Sequence, residues 1–385
     1  TSRRYREREN HISSDSWPIY ISLQKDGILF KMRRTQDLPD KESATMFFQD
    51  CKLAHQAQIT GISHSVKEIL PPDLLDLTQL QKEANIRYGF TASEVYNIAQ
   101  SLYEKKLISY PRTSSRYLTE DVFDSLSPIM ARLLSWELFP ATKGTGGIDI
   151  SGLSRHVISA EKANVHHAII ITGIRPGNLS EKEMQVYRLV AGRMLETFMA
   201  PCRIETTNVE AVCAAQHFKA EQTRIIEAGW HDVFMRSDMV PKSGYSVNEL
   251  PEVEKSDTLN VCGCNMVHKK QLPVNPFTDA ELVEYMEQNG LGTVSSRTNI
   301  IRTLVNRKYI RYSGKYIVPT PKGMFTYETI RGKKIADTSL TADWEKQLAG
   351  LESGMITGQD FLNRIRTLAK EMTDDIFNTY STKEE

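Results

Sequence analysis

The spacing of hydrophobic positions changes period along the chain. Trp17, Ile19, Ile21 and Leu23 alternate with polar residues, and Ile28, Phe30 and Met32 do so again after Asp26-Gly27. Alternation puts each set on one face of a strand, and Asp-Gly tolerates the positive φ angles of a two-residue turn. A β-hairpin is therefore predicted over residues 17–34. A polar, helix-compatible stretch from Lys41 to Gln56 follows, then a strand-like run from Ile59 to Leu70 that Pro71-Pro72 punctuates.

From there the period becomes helical. Thr91-Ala-Ser-Glu94 is a capping box, in which the threonine and glutamate side chains satisfy free amides at a helix start. Val95, Ile98, Ala99, Leu102 and Tyr103 then share a face, and Lys105 and Lys106 end the helix where its dipole favours cations. Ser180-Glu-Lys-Glu183 is a second box, opening a helix with a Met184, Tyr187, Val190, Met194 and Phe198 stripe that Pro201 stops. Residues 202–265 return to short β-like runs. A third box, Thr278-Asp-Ala-Glu281, starts a helix ending at Asn289-Gly290. A second helix is predicted from about Ser296 to Arg307 with Ile300, Ile301, Leu304 and Val305 inward, then a hairpin over Tyr309 to Val318 around Ser313-Gly314. Helix, helix, hairpin resembles a winged helix, which places its second helix on DNA. Arg297, Arg302, Arg307 and Lys308 suit phosphates there, although from charge alone a solvated helix face is the commoner reason for such residues.

Composition changes this picture little. Lys+Arg and Asp+Glu are both 48, so no basic excess announces a nucleic-acid partner, yet phosphate binding needs only local positive charge. No apolar run is long enough for a membrane-spanning helix. The five cysteines are few, odd in number and irregularly spaced, as expected of free thiols in a reducing cytoplasm. Cys262-Gly-Cys264 with His268 nearby is spaced too closely for the usual zinc pair and reads as plain strand or turn.

The chemistry concentrates in Leu107-Ile-Ser-Tyr-Pro-Arg-Thr-Ser-Ser-Arg-Tyr-Leu118, directly after the first capped helix. Pro111 drives Tyr110 into extended backbone, presenting its phenol at a helix exit. A phenol is a poor nucleophile at neutral pH, and guanidinium groups such as Arg112 and Arg116 can stabilise its anion and hold a phosphate under attack. Tyrosine, arginine and hydroxyl residues on a short extended segment thus suit phosphoryl transfer to tyrosine. Taken alone, the segment is equally a packed surface tyrosine. His166-His-Ala-Ile-Ile170 could set one imidazole in a polar site and bury the other; either alone also fits a core histidine satisfied by backbone.

Taken together, Arg87-Tyr-Gly-Phe-Thr-Ala-Ser93, Ala99-Gln-Ser-Leu-Tyr-Glu104 and Leu107 to Thr113, with Ser115 to Leu118, resemble the active-site segment of type IA DNA topoisomerases, closest to the topoisomerase III branch. Pro71-Pro72, Leu80-Gln81 and Ala84-Asn85 precede it in the family's order. His166 to Ile170 resembles the family's histidine motif, and Gly290-Leu-Gly-Thr-Val-Ser-Ser-Arg297 its glycine-threonine-arginine motif. Leu340-Thr-Ala-Asp-Trp-Glu345 and Gly354 resemble its tail. Several motifs in one order are far more specific than any single motif.

The resemblance implies that Tyr110 is the nucleophile, forming a 5′-phosphotyrosyl link, that Arg112 holds the scissile phosphate or stabilises the charge at the tyrosine, and that His166 supports positioning and proton transfer. It implies DNA contacts from Ser114, Arg116, His167, Thr293 and Arg297, single-stranded DNA as substrate, and no ATP. It also implies an α+β, multidomain fold. A β-rich arch over residues 1–73 and 199–274 would be interrupted by a helical active-site domain at 74–198, with a winged-helix-like domain at 275–385. Such enzymes begin with a Toprim domain whose acidic cluster binds magnesium. No such cluster stands on a hydrophobic strand here; Asp374-Asp375 lies in a polar, helical tail. The chain is thus expected to be a fragment, inactive or nearly so alone, with no metal bound to it. A monomer and, by family analogy, a helicase partner complete the expectation. Four departures stand out: Ser114 where the family has aspartate, Ile171-Thr172 for Pro-Thr, Val294-Ser-Ser for Pro-Ala-Thr, and Pro273-Val274 for a double proline. The alternative is a non-catalytic single-stranded DNA-binding module that keeps the fold.

Overall fold

In the computed structural model, the residues described are 1–136, 138–139, 155–163, 166–234 and 242–381. The chain opens with helix α1 (Ser2–Glu9) and a two-residue strand, β1 (Asp15–Ser16). The predicted hairpin forms as β2 (Ile19–Lys25) and β3 (Ile28–Arg34), with Asp26 and Gly27 both at positive φ between them. That turn matches the twist of the paired strands. Helix α2 (Lys41–Leu53), capped by Asp40, then leads to β4 (Gln56–Ile69), a strand longer than the run predicted from hydrophobicity alone.

The helical region contains α3 (Leu77–Tyr88), α4 (Ala92–Glu104), α5 (Glu120–Asp124), α6 (Leu126–Ser135), α7 (Ala160–Ala163) and α8 (Glu181–Phe198). Both capping boxes predicted here form, at Thr91 with Glu94 and at Ser180 with Glu183. Helix α3 ends at Gly89, whose φ of 70° and amide bond to the Asn85 carbonyl (2.9 Å) let α4 begin almost at once. Buried residues run almost around α8, so it is a central helix rather than a one-striped one. Leu80, Val95, Leu102, Val186 and Met194 belong to one core in this region.

Two long strands follow, β5 (Cys202–Cys213) and β6 (Gln216–Glu227), then β7 (Thr258–Met266) and β8 (Lys269–Lys270). Strands from both sides of the helical region close one antiparallel barrel in the order β2-β3-β6-β5-β4-β7. Closure is made by short pairings, β3 with β6 at Arg33 and Arg34 and β4 with β7 over residues 56–58, while β4, β5 and β6 run on together beyond them. Ile21, Leu23, Met32, Ile59, Val209 and Phe218 fill its core.

The chain ends with α9 (Asp279–Gln288), α10 (Arg297–Asn306), the hairpin β9 (Ile310–Ser313) and β10 (Tyr316–Pro319), and helices α11 (Pro321–Ile330), α12 (Thr338–Glu352) and α13 (Gly358–Ser381). The third capping box forms at Thr278 with Glu281. Of the four α10 residues expected inward, Ile301 is buried and Val305 packs against the same small core, but Ile300 and Leu304 are exposed. They line an open apolar groove with Tyr285 and Tyr327, because α11 stands off from that side of α10. The chain is α+β. Among the described residues, no helix is long and apolar enough to cross a membrane.

Candidate active site

Tyr110 stands where α4 has ended and the chain turns outward. Lys106 closes the helix at a φ of 60°, its amide on the Tyr103 carbonyl (2.8 Å). Beyond it the chain pairs with the histidine segment through an antiparallel bridge between Ile108 and Ile171. The Thr172 amide donates to the Leu107 carbonyl (3.1 Å) and the Ser109 amide to the Ile170 carbonyl (2.8 Å). Ser109 doubles this tie through its hydroxyl, which donates to the Ala168 carbonyl (3.1 Å) and accepts from the Ile170 amide (3.0 Å). On the other flank of the histidine segment, the Ile169 amide donates to the Leu75 carbonyl (2.8 Å). Buried Ile169 and Ile171 anchor this short ladder in the helical core.

The ladder brings an imidazole to the phenol. The Tyr110 and His166 ring centroids lie 4.4 Å apart at 42°. Thr113 fixes the approach: its hydroxyl donates to the His166 carbonyl (2.9 Å) and accepts from the Ser115 amide (3.0 Å). His167 points elsewhere. Its Nδ1 lies 2.7 Å from the Ala168 carbonyl, which can only accept, so Nδ1 carries the proton and Nε2 is left for another partner.

The outward stripe of α4 supplies what sequence reading missed. Tyr103, expected on the buried face, is 40% exposed, and its ring meets Tyr110 edge-on at 5.5 Å. One and two turns earlier, Gln100 accepts from Arg112 Nη2 (3.0 Å) and Tyr96 lies beneath the same guanidinium at 5.3 Å. Residues 96, 100 and 103 sit at helical spacing, and that spacing was the available signal. No carboxylate among the described residues lies within ion-pair distance of Arg112, and its Nε is buried with no hydrogen-bond partner.

Arg116 and Arg297, both expected at the DNA, are already paired within the fold. Arg116 Nε donates to Asp76 (2.7 Å), whose carboxylate also caps α3 through the Gln79 amide (2.7 Å). Burial holds Asp76 above the usual carboxylate range, although that amide and Arg116 pull it down. Arg297 is only 8% exposed and donates from Nη1 to Glu287 (3.0 Å), which also accepts from Thr78 on α3 (3.0 Å). Ser114 and Thr293 are exposed, the latter tied to Ser296 at the entry of α10.

Helix α4 is gripped at both ends. At its start, buried Asp279 accepts from the Ala92 amide (2.6 Å) and from the Tyr312 hydroxyl (3.2 Å). Near its end, Glu183 on α8 accepts from Ser101 (2.7 Å) and from Lys105 (2.6 Å). Hydrogen bonds from Lys105, Ser101 and the Ser180 amide hold the Glu183 carboxyl down at about 2. Among the described residues no three His, Cys, Asp or Glu side chains are grouped to hold a metal ion. Asp375 sits on α13 beside Lys333 (3.3 Å).

A family model described as DNA topoisomerase matches residues 1–363. DNA topoisomerase 3 of Bacillus licheniformis is 31% identical over 344 residues, covering 83% of this chain and 47% of its own length. The Bacillus subtilis protein of the same name is 30% identical over 355 residues, covering 85% and 48%. The chain thus spans about half the length of the curated relatives it matches. Full-length topoisomerase I of Thermotoga maritima shares the fold, with a TM-score of 0.74 at 22% identity over 96% of this chain and 61% of that one.

Proposed function

The chain belongs to the DNA topoisomerase family, and from that premise we propose that it carries the strand-breaking half of a type IA enzyme of the topoisomerase III branch. The Tyr110 phenol attacks a backbone phosphorus of single-stranded DNA. A tyrosyl oxygen–phosphorus bond forms, the bond to the 3′ oxygen breaks, and the 5′ end stays on the protein while a 3′ hydroxyl leaves. The broken bond's energy is kept in the phosphotyrosine, so rejoining needs no ATP. Arg112 supplies N–H donors to the phosphoryl oxygens as their charge grows. His166, in ring contact with Tyr110, orients the phenol and helps move its proton. Ser114, His167 and Thr293 offer polar contacts to the bound strand; Arg116 and Arg297, already paired, shape the surface it lies on.

The family implies magnesium. The described residues of this chain do not fit that ion, since none of their carboxylates group to hold it, and no step here passes through it. The proposed layout is the arch over residues 1–73 and 199–274, the helical domain at 74–198 and the winged-helix-like domain at 275–385. Three main cores, in the barrel, the helical region and the α9–α10 region, support that division, with Val233 packing into the helical core and Ala92 into the α9–α10 core. In the whole enzyme, the helical domain would swing away to pass a second strand, relaxing negative supercoils or separating linked circles.

The observation that carries this reading is the His166 imidazole against the Tyr110 phenol, two residues before an arginine for which no carboxylate among the described residues is at ion-pair distance. The test supplies the chain with a separately made Toprim domain, magnesium and end-labelled single-stranded DNA. Cleavage with the 5′ phosphate trapped on Tyr110, lost in Tyr110→Phe, is expected. Activity that survives Tyr110→Phe, or a 3′ linkage, overturns it. Tight DNA binding with no cleavage under any of these conditions points instead to a non-catalytic DNA-binding module.

A further inference from the structure

The outward stripe of α4 holds two groups of the site at once. Tyr103 meets the Tyr110 ring at 5.5 Å. Gln100, three residues earlier and so about 4.5 Å back along the helix axis, holds Arg112. Gln100 is a two-ended link. Its Oε1 accepts from Arg112 Nη2 (3.0 Å), and its Nε2 donates to Glu104 Oε1 (2.8 Å) one turn on. These partners fix which way the amide points. A guanidinium only donates and an ionised carboxylate only accepts. A flipped amide would therefore set hydrogen against hydrogen at one end and oxygen against oxygen at the other.

The order of the three side chains matters for charge. Glu104 is the last residue of α4, where the helix dipole disfavours a carboxylate, so helix stability does not explain it. It reaches Gln100 across the i, i+4 spacing and polarises that amide toward Arg112. Glu104 itself makes no ion pair with Arg112. The Tyr96 ring lies 5.3 Å from the guanidinium carbon, and Arg112 Nε is buried without a hydrogen-bond partner. The guanidinium is thus held by an aromatic face and a neutral amide. A carboxylate at position 100 would form an ion pair there, whereas the amide gives direction and leaves the positive charge in place.

We propose that Gln100 is the positioning residue of Arg112. It aims the guanidinium and keeps the Glu104 carboxylate one side chain away from it, so that the charge stays unneutralised for a phosphate. That role rests on Arg112 serving a DNA phosphate, as proposed for strand breakage.

The test compares three variants of the full chain. Gln100→Met removes both hydrogen bonds and changes no charge. The paired exchange, Gln100→Glu with Glu104→Gln, keeps the net charge and moves the carboxylate one turn, against Arg112. Arg112→Ala is the reference. The first readout is cleavage of saturating, end-labelled single-stranded DNA with a separately made Toprim domain and magnesium. Gln100→Met should slow it by about tenfold, through lost aim. The paired exchange should slow it by about a hundredfold, nearing Arg112→Ala. The second readout needs no cleavage: the salt dependence of binding to a short single-stranded oligonucleotide. Each lost phosphate contact lowers the log–log slope by about 0.7. The paired exchange and Arg112→Ala should each do so, and Gln100→Met should not. A paired exchange that cleaves and binds like wild type, or a Gln100→Met loss as large as that of the exchange, overturns the proposal. If wild type cleaves nothing, the strand-breaking function falls, while the salt slopes still decide whether Gln100 spares the Arg112 charge.

Discussion

Arg112 and Arg297 read alike in the sequence, each standing in a motif that resembles a segment of the family expected to meet DNA, and they fold into opposite circumstances. Arg112 rests on a tyrosine ring and a neutral amide, with no carboxylate among the described residues at ion-pair distance; the Nε of both arginines is buried without a hydrogen-bond partner. Arg297 is buried against Glu287, which also holds Thr78 of the helical region. The first carries a charge that no described carboxylate neutralises; the second has its charge neutralised within the fold, joining α10 to α9. A guanidinium's role follows from its partner more than from its position in a motif.

The comparison can be broken at either end. Arg112→Ala should lower the cleavage rate by about a hundredfold to a thousandfold, the usual effect of removing a preorganised donor to developing charge, with thermal unfolding nearly unchanged. A loss confined to DNA affinity, with normal cleavage at saturation, would return Arg112 to a simple phosphate clamp. Arg297→Ala should act the other way round. It leaves Glu287 without its cation in a mostly buried setting and should cost about 3 kcal/mol of stability, read from denaturant unfolding. DNA affinity per folded molecule should change little. Weaker DNA binding at unchanged stability would restore Arg297 to the DNA surface and erase the contrast.

The smallest effect concerns the tie that steadies α4 beside Tyr110. Glu183 is lowered from an ordinary 4.5 to about 2 by Lys105, Ser101 and the Ser180 amide. Its stabilisation is therefore present above pH about 4.5 and lost as pH falls toward about 2. Glu183→Gln should cost no more than about 1 kcal/mol at neutral pH, since the Lys105 side is solvent-screened. Wild type and variant should converge in acid. A constant gap between the two stability curves from neutral pH down to acid would show that the carboxylate charge contributes nothing.

Much of the local structure was legible along the chain. The hairpin over residues 17–34 and the starts of α4, α8 and α9 follow from chemistry that spans only a few residues: an Asp-Gly turn, or a hydroxyl and a glutamate three positions apart. The ordered motifs were also enough to indicate the family. Less legible were Ile300, Leu304 and Tyr103, whose helical spacing suggested burial. Whether such a face is covered depends on what packs there: α11 leaves the first two open, and Tyr103 meets Tyr110 instead.

By itself, then, the sequence determined where helices start, where strands alternate, and that a proline-stiffened tyrosine follows α4. Packing across the chain chose which of the two motif arginines is ion-paired and which imidazole reaches the phenol. The reason is one of range. Caps and turns are settled by neighbours along the chain, whereas Asp76 reaches Arg116 across 40 residues and the Thr113 hydroxyl reaches the His166 carbonyl across 53. Separations of that size are closed by the packing of the core, and no local pattern encodes them.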